Sequence, residues 1–271
     1  MKKRNISTII LIIVFLAGLS LLLYPTISDY WNSFHQTRAI VMYEENVADL
    51  QEELYQKYMD EAHLYNQRLL SKSNRLNPTE KDLEEYNDLL NVTADGIMGY
   101  IEIPNIKCTL PIYHGIDDLV LQVAIGHIPG TSLPVGGESS HCVISGHRGL
   151  PSAKLFTDLD KIVEGDQFLL QILGETLTYE VDQILIVEPK DVKELEITEG
   201  KDYCTLITCT PYGVNSHRLL VRGHRVDTVD DVSLRVTADA RQIEPEWVAP
   251  LVAVPILLVL LVVLLVKYRK R

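Results

Sequence analysis

The chain has 271 residues, 46% of them hydrophobic, enough for one sizeable domain with appendages, and its net charge is −12. Both tips are basic (Lys2, Lys3 and Arg4; Lys267, Arg269, Lys270 and Arg271), and setting those seven cations aside leaves 18 Lys and Arg against 37 Asp and Glu, a charge of −19. A body that acidic repels phosphate backbones, which excludes nucleic acid as a partner.

In chain order, a short tip at 1–5 precedes an uncharged run of 19 residues, Ile6 to Tyr24. As a helix it spans about 28 Å, close to the hydrocarbon thickness of a bilayer. The run exceeds the ~7–15 residues of a signal-peptide core, and Tyr24-Pro25-Thr26 is not a small-x-small cleavage site. It is therefore expected to stay as a membrane anchor. Residues 25–95 read as a helical stalk or cover. Apolar and aromatic side chains recur at Tyr43, Val47, Leu50, Leu54, Tyr58, Ala62, Tyr65 and Leu69, the spacing of a helix with one buried stripe. Pro78-Thr79-Glu80 opens a second, shorter helix reaching about Leu90.

Within 96–228 the period changes to two, as in Gly99–Pro104 and in Leu177–Asp182, where Leu177, Tyr179 and Val181 share a face. A strand is expected to end at Leu173, with Gly174-Glu175 as a tight hairpin turn. Further strands are expected at His141–Ser145, Gln167–Leu173, Ile184–Val187, Tyr203–Thr208 and Ser216–Arg225, between loops such as Gly126–Gly137 and Gly146–Pro151. Many short strands and few long helices indicate a sandwich or a closed barrel. Polar residues 229–246 form a linker to a second uncharged run, 247–266, expected to be another membrane helix, with Trp247 and Tyr268 at its interfaces and Pro250 and Pro255 tolerated within it. The basic tail 267–271 and the basic N-terminus then both face the cytoplasm, and the domain between them lies outside the cell membrane.

Three local features carry chemistry. Tyr203-Cys-Thr-Leu-Ile-Thr-Cys-Thr-Pro211 is a strand ending in a cysteine, Val143-Ile-Ser-Gly-His-Arg148 is a strand ending in Gly-His, and Ser216-His-Arg-Leu-Leu-Val-Arg222 is a strand carrying cations. A thiolate is the nucleophilic form of cysteine, a histidine takes and returns its proton, and an arginine stays charged while it holds a developing oxyanion. Cys209, His147 and Arg218 fit those roles. On spacing alone His127, His141 and His217 remain rival bases, and Arg222 and Arg225 rival cations. Cys108 reads as a small buried residue. Cys142 and Cys204, each five residues before a candidate catalytic group, read as buried free thiols rather than a disulfide. A zinc site from Cys142, His147, Cys204 and Cys209 is the metal alternative, for which Cys-x4-Cys on a strand is a poor spacing.

Thr205-Leu-Ile-Thr-Cys209 resembles the Thr-Leu-x-Thr-Cys signature of sortases. Its extension through Thr210-Pro-Tyr-Gly-Val-Asn-Ser-His-Arg218, the stretch Gly126–Gly137 and Ser145-Gly-His-Arg-Gly-Leu-Pro-Ser152 resemble the class C, pilin-polymerising branch, over about Gly96 to Val226. The resemblance implies a mainly β fold, a closed sortase-type barrel of about eight strands with an N-terminal helical segment and a transmembrane helix at each end. It implies Cys209 as nucleophile, His147 as proton partner and Arg218 as oxyanion or substrate cation, with no metal or cofactor. The implied partners are Leu-Pro-x-Thr-Gly-type pilin or surface-protein substrates. Their Thr–Gly bond is cleaved through a thioacyl enzyme and the acyl group passes to an amine, a pilin lysine.

No carboxylate partner for His147 is evident in the sequence. The lid of many class C enzymes carries Asp-Pro-aromatic; Asn77-Pro78-Thr79 shares only the proline. The competing functions are a thiol hydrolase and a non-catalytic tethered surface protein. A sorted surface protein would carry the sorting signal before its last apolar run, where this chain has Glu244-Pro-Glu-Trp-Val-Ala-Pro250.

Overall fold

The computed structural model describes residues 2–228 and, within the C-terminal apolar run, residues 254, 255, 257, 259, 261 and 262. The linker 229–246 and most of the second apolar run 247–266, with the tail 267–271, lie outside the described residues. The chain divides into two compact units, one of residues 1–31 with 237–271 and one of residues 32–236. The second unit holds the functional architecture.

Helix α1 runs from Lys2 to Ala48 with Pro25 inside it, and its N-terminal part is long and apolar enough to cross a membrane. The stripe from Tyr43 to Leu69 is not one helix. The chain turns at residues 49–51 and resumes as α2, Glu52–Leu69, so the stripe is divided between two helices that both pack on the barrel. Tyr43, almost wholly buried, donates its hydroxyl to the Met98 carbonyl at 2.9 Å and accepts the Leu173 amide at 2.8 Å. Helix α3, Glu80–Asp88, begins with a capping box: the Thr79 hydroxyl accepts the Asp82 amide, and the Asp82 carboxylate accepts the Thr79 amide.

Eight strands close into a mixed barrel in the order β1-β2-β3-β4-β7-β8-β6-β5. They are β1 Ile97–Ile103, β2 Cys108–His114, β3 Ile125–His127, β4 Ser140–Ser145, β5 Gln167–Ile172, β6 Glu175–Val187, β7 Asp202–Thr210 and β8 His217–Val226. The pairs β2/β3 and β4/β7 are parallel, and the others are antiparallel. This is the closed barrel of about eight strands that the sequence led us to expect, with three differences of detail. Strand β2 escapes the sequence pattern because Pro111 interrupts it, and β3 because three residues are too few to show a period. The two strands expected at 177–182 and 184–187 are one, β6, with a bulge between Val181 and Gln183. The β5–β6 turn is Leu173-Gly174, one residue earlier than expected, since Ile172 pairs with Glu175. Both turn residues have positive φ, +50° and +84°, as a two-residue hairpin whose central residues are both left-handed requires. A leucine tolerates that conformation here because it is buried and its amide is held by Tyr43.

The barrel interior and the inner faces of α2 and α3 form one apolar core that includes Ile101, Ile144, Phe168, Tyr179, Leu206 and Val221. A second, smaller cluster lies on the outer face of β4, β7 and β8: Val143, Ile207 and Leu220 under Leu195 of the β6–β7 connection.

His141 is enclosed at the edge of that outer cluster. One ring nitrogen, Nδ1, lies 2.9 Å from the Glu196 carbonyl, to which it donates, and Nε2 lies 2.7 Å from the Thr205 hydroxyl. Burial drives its pKa from 6.5 down to about 4, against the raising effect of the Glu196 bond and with help from Arg222 and Arg75. A histidine depressed on folding is more readily protonated when unfolded, so its stabilisation is complete above pH 6.5 and is lost as pH falls towards 4. We expect amide-exchange protection of β4 and β7 in the full chain to fall by about 3 kcal/mol over that window. The drop shrinks in His141→Gln, which has no proton to gain; an equal drop in the variant would refute the assignment.

Candidate active site

The site follows from strand parity. Along β7, Cys204 and Leu206 belong to the interior core while Ile207 belongs to the outer cluster, so Cys209 points outward two residues beyond Ile207. On β8, Leu219 and Val221 are interior and Leu220 is outer, which sets Arg218 on the outer face as well. Cys209 and Arg218 are direct cross-strand partners. On β4, Cys142 and Ile144 are interior and Val143 is outer. The parallel register pairs Ser145 with Ile207, and it continues past the end of β4: the Gly146 amide donates to the Ile207 carbonyl at 3.0 Å and the Thr208 hydroxyl donates to the Gly146 carbonyl at 2.8 Å. One more step brings His147 level with Cys209. Cys209 and Arg218 are thus paired on the outer face of β7 and β8, and His147 sits in the turn two residues past the end of β4 that this register carries alongside; all three are half-buried. The loops beside this site expose Val192, Tyr212 and Val214.

Charge is arranged unevenly around these residues. Among the described residues Arg218 has no carboxylate partner; its Nη1 donates to the carbonyls of His217 at 3.0 Å and Asn215 at 3.3 Å. The rival cations are committed elsewhere. Arg222 makes a two-pronged pair with Asp182 at 2.9 and 3.0 Å and lies 4.3 Å from the centre of the Tyr203 ring, and Arg225 lies over Tyr179. The rival histidines are placed likewise. His127 is fully buried and bonded to Tyr86 and to the Ser132 carbonyl, and His141 is enclosed as described. His217, the exposed first residue of β8, meets Ser216, and parity turns it away from Arg218. Among the described residues the His147 ring has no hydrogen-bond partner.

The other thiols differ from Cys209 in surroundings. Cys142 and Cys204 are register partners on β4 and β7, both inside the barrel and both free. Burial pushes the Cys204 thiol up, and it pushes Cys108, whose sulfur faces the Leu155 carbonyl, up to about 12. Because Cys142 and Cys204 point into the barrel and Cys209 points out, the four ligands of the zinc alternative do not converge.

The segment between α2 and α3, where a lid was sought, is fastened through Arg75. Its guanidinium donates to the carbonyls of Gly130 at 3.0 Å and Leu195 at 2.8 Å and lies 3.3 Å from the Glu196 carboxylate. The approach requires glycine at 130, where a Cβ would lie 1.9 Å from the Arg75 carbonyl oxygen. Among the described residues, Asn77, Pro78 and Thr79 make no hydrogen bond to Cys209 or His147. This fastening left no mark in the sequence, since Arg75 reads there as one more charged loop residue.

Comparison with known proteins fits this geometry. Residues 101–226 match the Sortase domain. Sortase C1 of Streptococcus agalactiae is 50% identical with a TM-score of 0.68, and the match covers 71% of this chain and 100% of that one. Clostridium perfringens sortase C, solved with the C-terminal cell wall sorting motif, is 41% identical with a TM-score of 0.61, covering 71% and 100%. Sortase D of Bacillus subtilis (strain 168) is 31% identical over 131 residues, 47% of this chain, and the match spans only 63% of that protein's length. With 50% identity over the matched region, which takes in the full length of a solved sortase C1, and the same closed barrel, the chain belongs to the sortase family.

Proposed function

We propose that the protein is a membrane-anchored cysteine transpeptidase acting on Leu-Pro-x-Thr-Gly-type sorting signals, with Cys209 as nucleophile, His147 as proton partner and Arg218 as the cation for the oxyanion. The observation that carries this reading is the direct pairing of Cys209 with Arg218, which has no carboxylate partner among the described residues, beside the His147 turn that follows β4. It is supported by the kinship with a sortase C solved with a cell wall sorting motif.

The Cys209 thiolate attacks the threonine carbonyl carbon, and the oxyanion that forms faces the guanidinium of Arg218, which has no carboxylate to compete for it. The C–N bond to glycine then breaks, and His147 protonates the departing amine. The acyl group remains as a thioester on Cys209. An incoming primary amine, in our reading the side chain of a pilin lysine, attacks that thioester and gives its proton to the now neutral His147, and the C–S bond breaks to release the Cys209 thiolate. The apolar start of α1 supports a membrane anchor. We further propose that both termini are cytoplasmic and that the barrel works outside the membrane, where such signals are displayed.

Two outcomes test this reading in the full chain held in detergent. Incubation with a Leu-Pro-x-Thr-Gly peptide should give a covalent adduct by mass, absent in Cys209→Ala and retained in Cys108→Ala and Cys142→Ala. With an added amine the ligated product should appear, and His147→Ala and Arg218→Ala should each lower its rate about 10²–10³-fold. Hydrolysed peptide alone, whatever the amine, would reduce the protein to a thiol peptidase. Separately, iodoacetamide at neutral pH should modify Cys209 in the native protein and all four cysteines after denaturation. Native labelling of Cys204 or Cys108 at a comparable rate would contradict the burial that holds those thiols protonated.

A further inference from the structure

The His147 ring has no hydrogen-bond partner among the described residues, so its place beside Cys209 depends on how its loop backbone is held. Four attachments hold it. Gly146 is bonded to β7 on one side, through the Ile207 carbonyl and the Thr208 hydroxyl. The His147 carbonyl accepts the Phe156 amide at 3.1 Å. A third attachment, on the far side, is double: the Gly149 amide donates to the Thr157 hydroxyl at 3.0 Å, and Arg148, its side chain only 9% exposed, is ion-paired with Asp160. The fourth attachment is the Tyr212 ring, which arrives from the β7–β8 loop. The Arg148 guanidinium lies 5.8 Å from the ring centre, and the ring rests against Gly149 so closely that a Cβ there would stand 2.8 Å from its edge. Gly149 is also in the left-handed region, with φ +73°, which a side chain would resist.

Tyr212 is 61% exposed, contributes little to the core, and is the third residue after Cys209. The strand that supplies the thiol therefore also supplies, three residues on, the contact that steadies the loop of its proton partner. We propose that Tyr212, seated on Arg148 and Gly149, is a positioning residue that holds the His147 loop in register with Cys209. The proposal rests on the reading of Cys209 and His147 as the reacting pair. The contact uses the face and edge of the ring, and no hydrogen bond of the hydroxyl is involved, so phenylalanine should serve and alanine should not.

The test uses the full chain in detergent with a Leu-Pro-x-Thr-Gly peptide and an amine. Tyr212→Ala should lower kcat about tenfold or more with KM changed less than about twofold, because loose placement of a reacting group is felt in the chemical step rather than in binding. Tyr212→Phe should stay within about twofold of the parent. Gly149→Ala, which displaces the ring from the other side, should reproduce the kcat loss. In a His147→Ala background, Tyr212→Ala should add nothing further, since there is then no imidazole to position. Full activity in Tyr212→Ala, equal losses in the phenylalanine and alanine variants, a loss confined to KM, or an additive loss on top of His147→Ala would each overturn the proposal. So would failure of Tyr212→Ala to fold, because an exposed ring that only steadies a loop is not needed for folding. Full activity in His147→Ala sinks the underlying reading itself; loss there with none in Tyr212→Ala sinks the positioning role alone.

Discussion

The parallel pairing of β4 with β7 is the constraint on which the rest of the site depends. In a pleated sheet a slip of one residue reverses every side chain. The register that joins Cys142 to Cys204 and Ser145 to Ile207 therefore decides which sulfur enters the core and which faces outward. Both strands are central in a closed barrel, without a free edge along which they might slide. The two hydrogen bonds at Gly146 extend this register beyond the last ladder pair, into the turn that bears the imidazole. The antiparallel ladder of β7 with β8 then adds the guanidinium on the other side. Cys209 meets Arg218, and the turn bearing His147 is carried alongside, because two ladders share one strand.

Charge completes what register begins. Arg222 and Arg218 lie four residues apart on one strand and differ in what surrounds them. Arg222 is neutralised by Asp182 and covered by Tyr203, so it is a structural cation. Among the described residues Arg218 is bonded only to backbone carbonyls of its own turn, so its charge stands beside the thiol without a carboxylate partner.

Much of this was legible in the sequence, and what was not has physical causes. A strand that ends in cysteine and another that ends in Gly-His announce side chains at a sheet's rim, and the family signature narrows the choice to Cys209, His147 and Arg218. Alternation along β7 also shows that Cys209 and Ile207 share a face. The missing pieces are those whose local pattern is overridden by distant partners. Pro111 hides β2, the left-handed Leu173 owes its conformation to Tyr43, and the break at residues 49–51 interrupts a stripe that by periodicity alone runs on. The contact of Tyr212 with Gly149 spans the gap between two loops, and no periodicity reports such a meeting.

The fastening of Arg75 bears on how the connection between α2 and α3 behaves in time. Two charge-assisted bonds to main-chain oxygens, made by a side chain almost out of contact with water, amount to about 3–6 kcal/mol if broken without replacement. A piece of chain held that strongly leaves its seat in roughly one molecule in a hundred to one in ten thousand at any instant. Arg75 therefore ties the connection to the backbone of two other loops, at Gly130 and Leu195, so that movement of any one of them strains the other two.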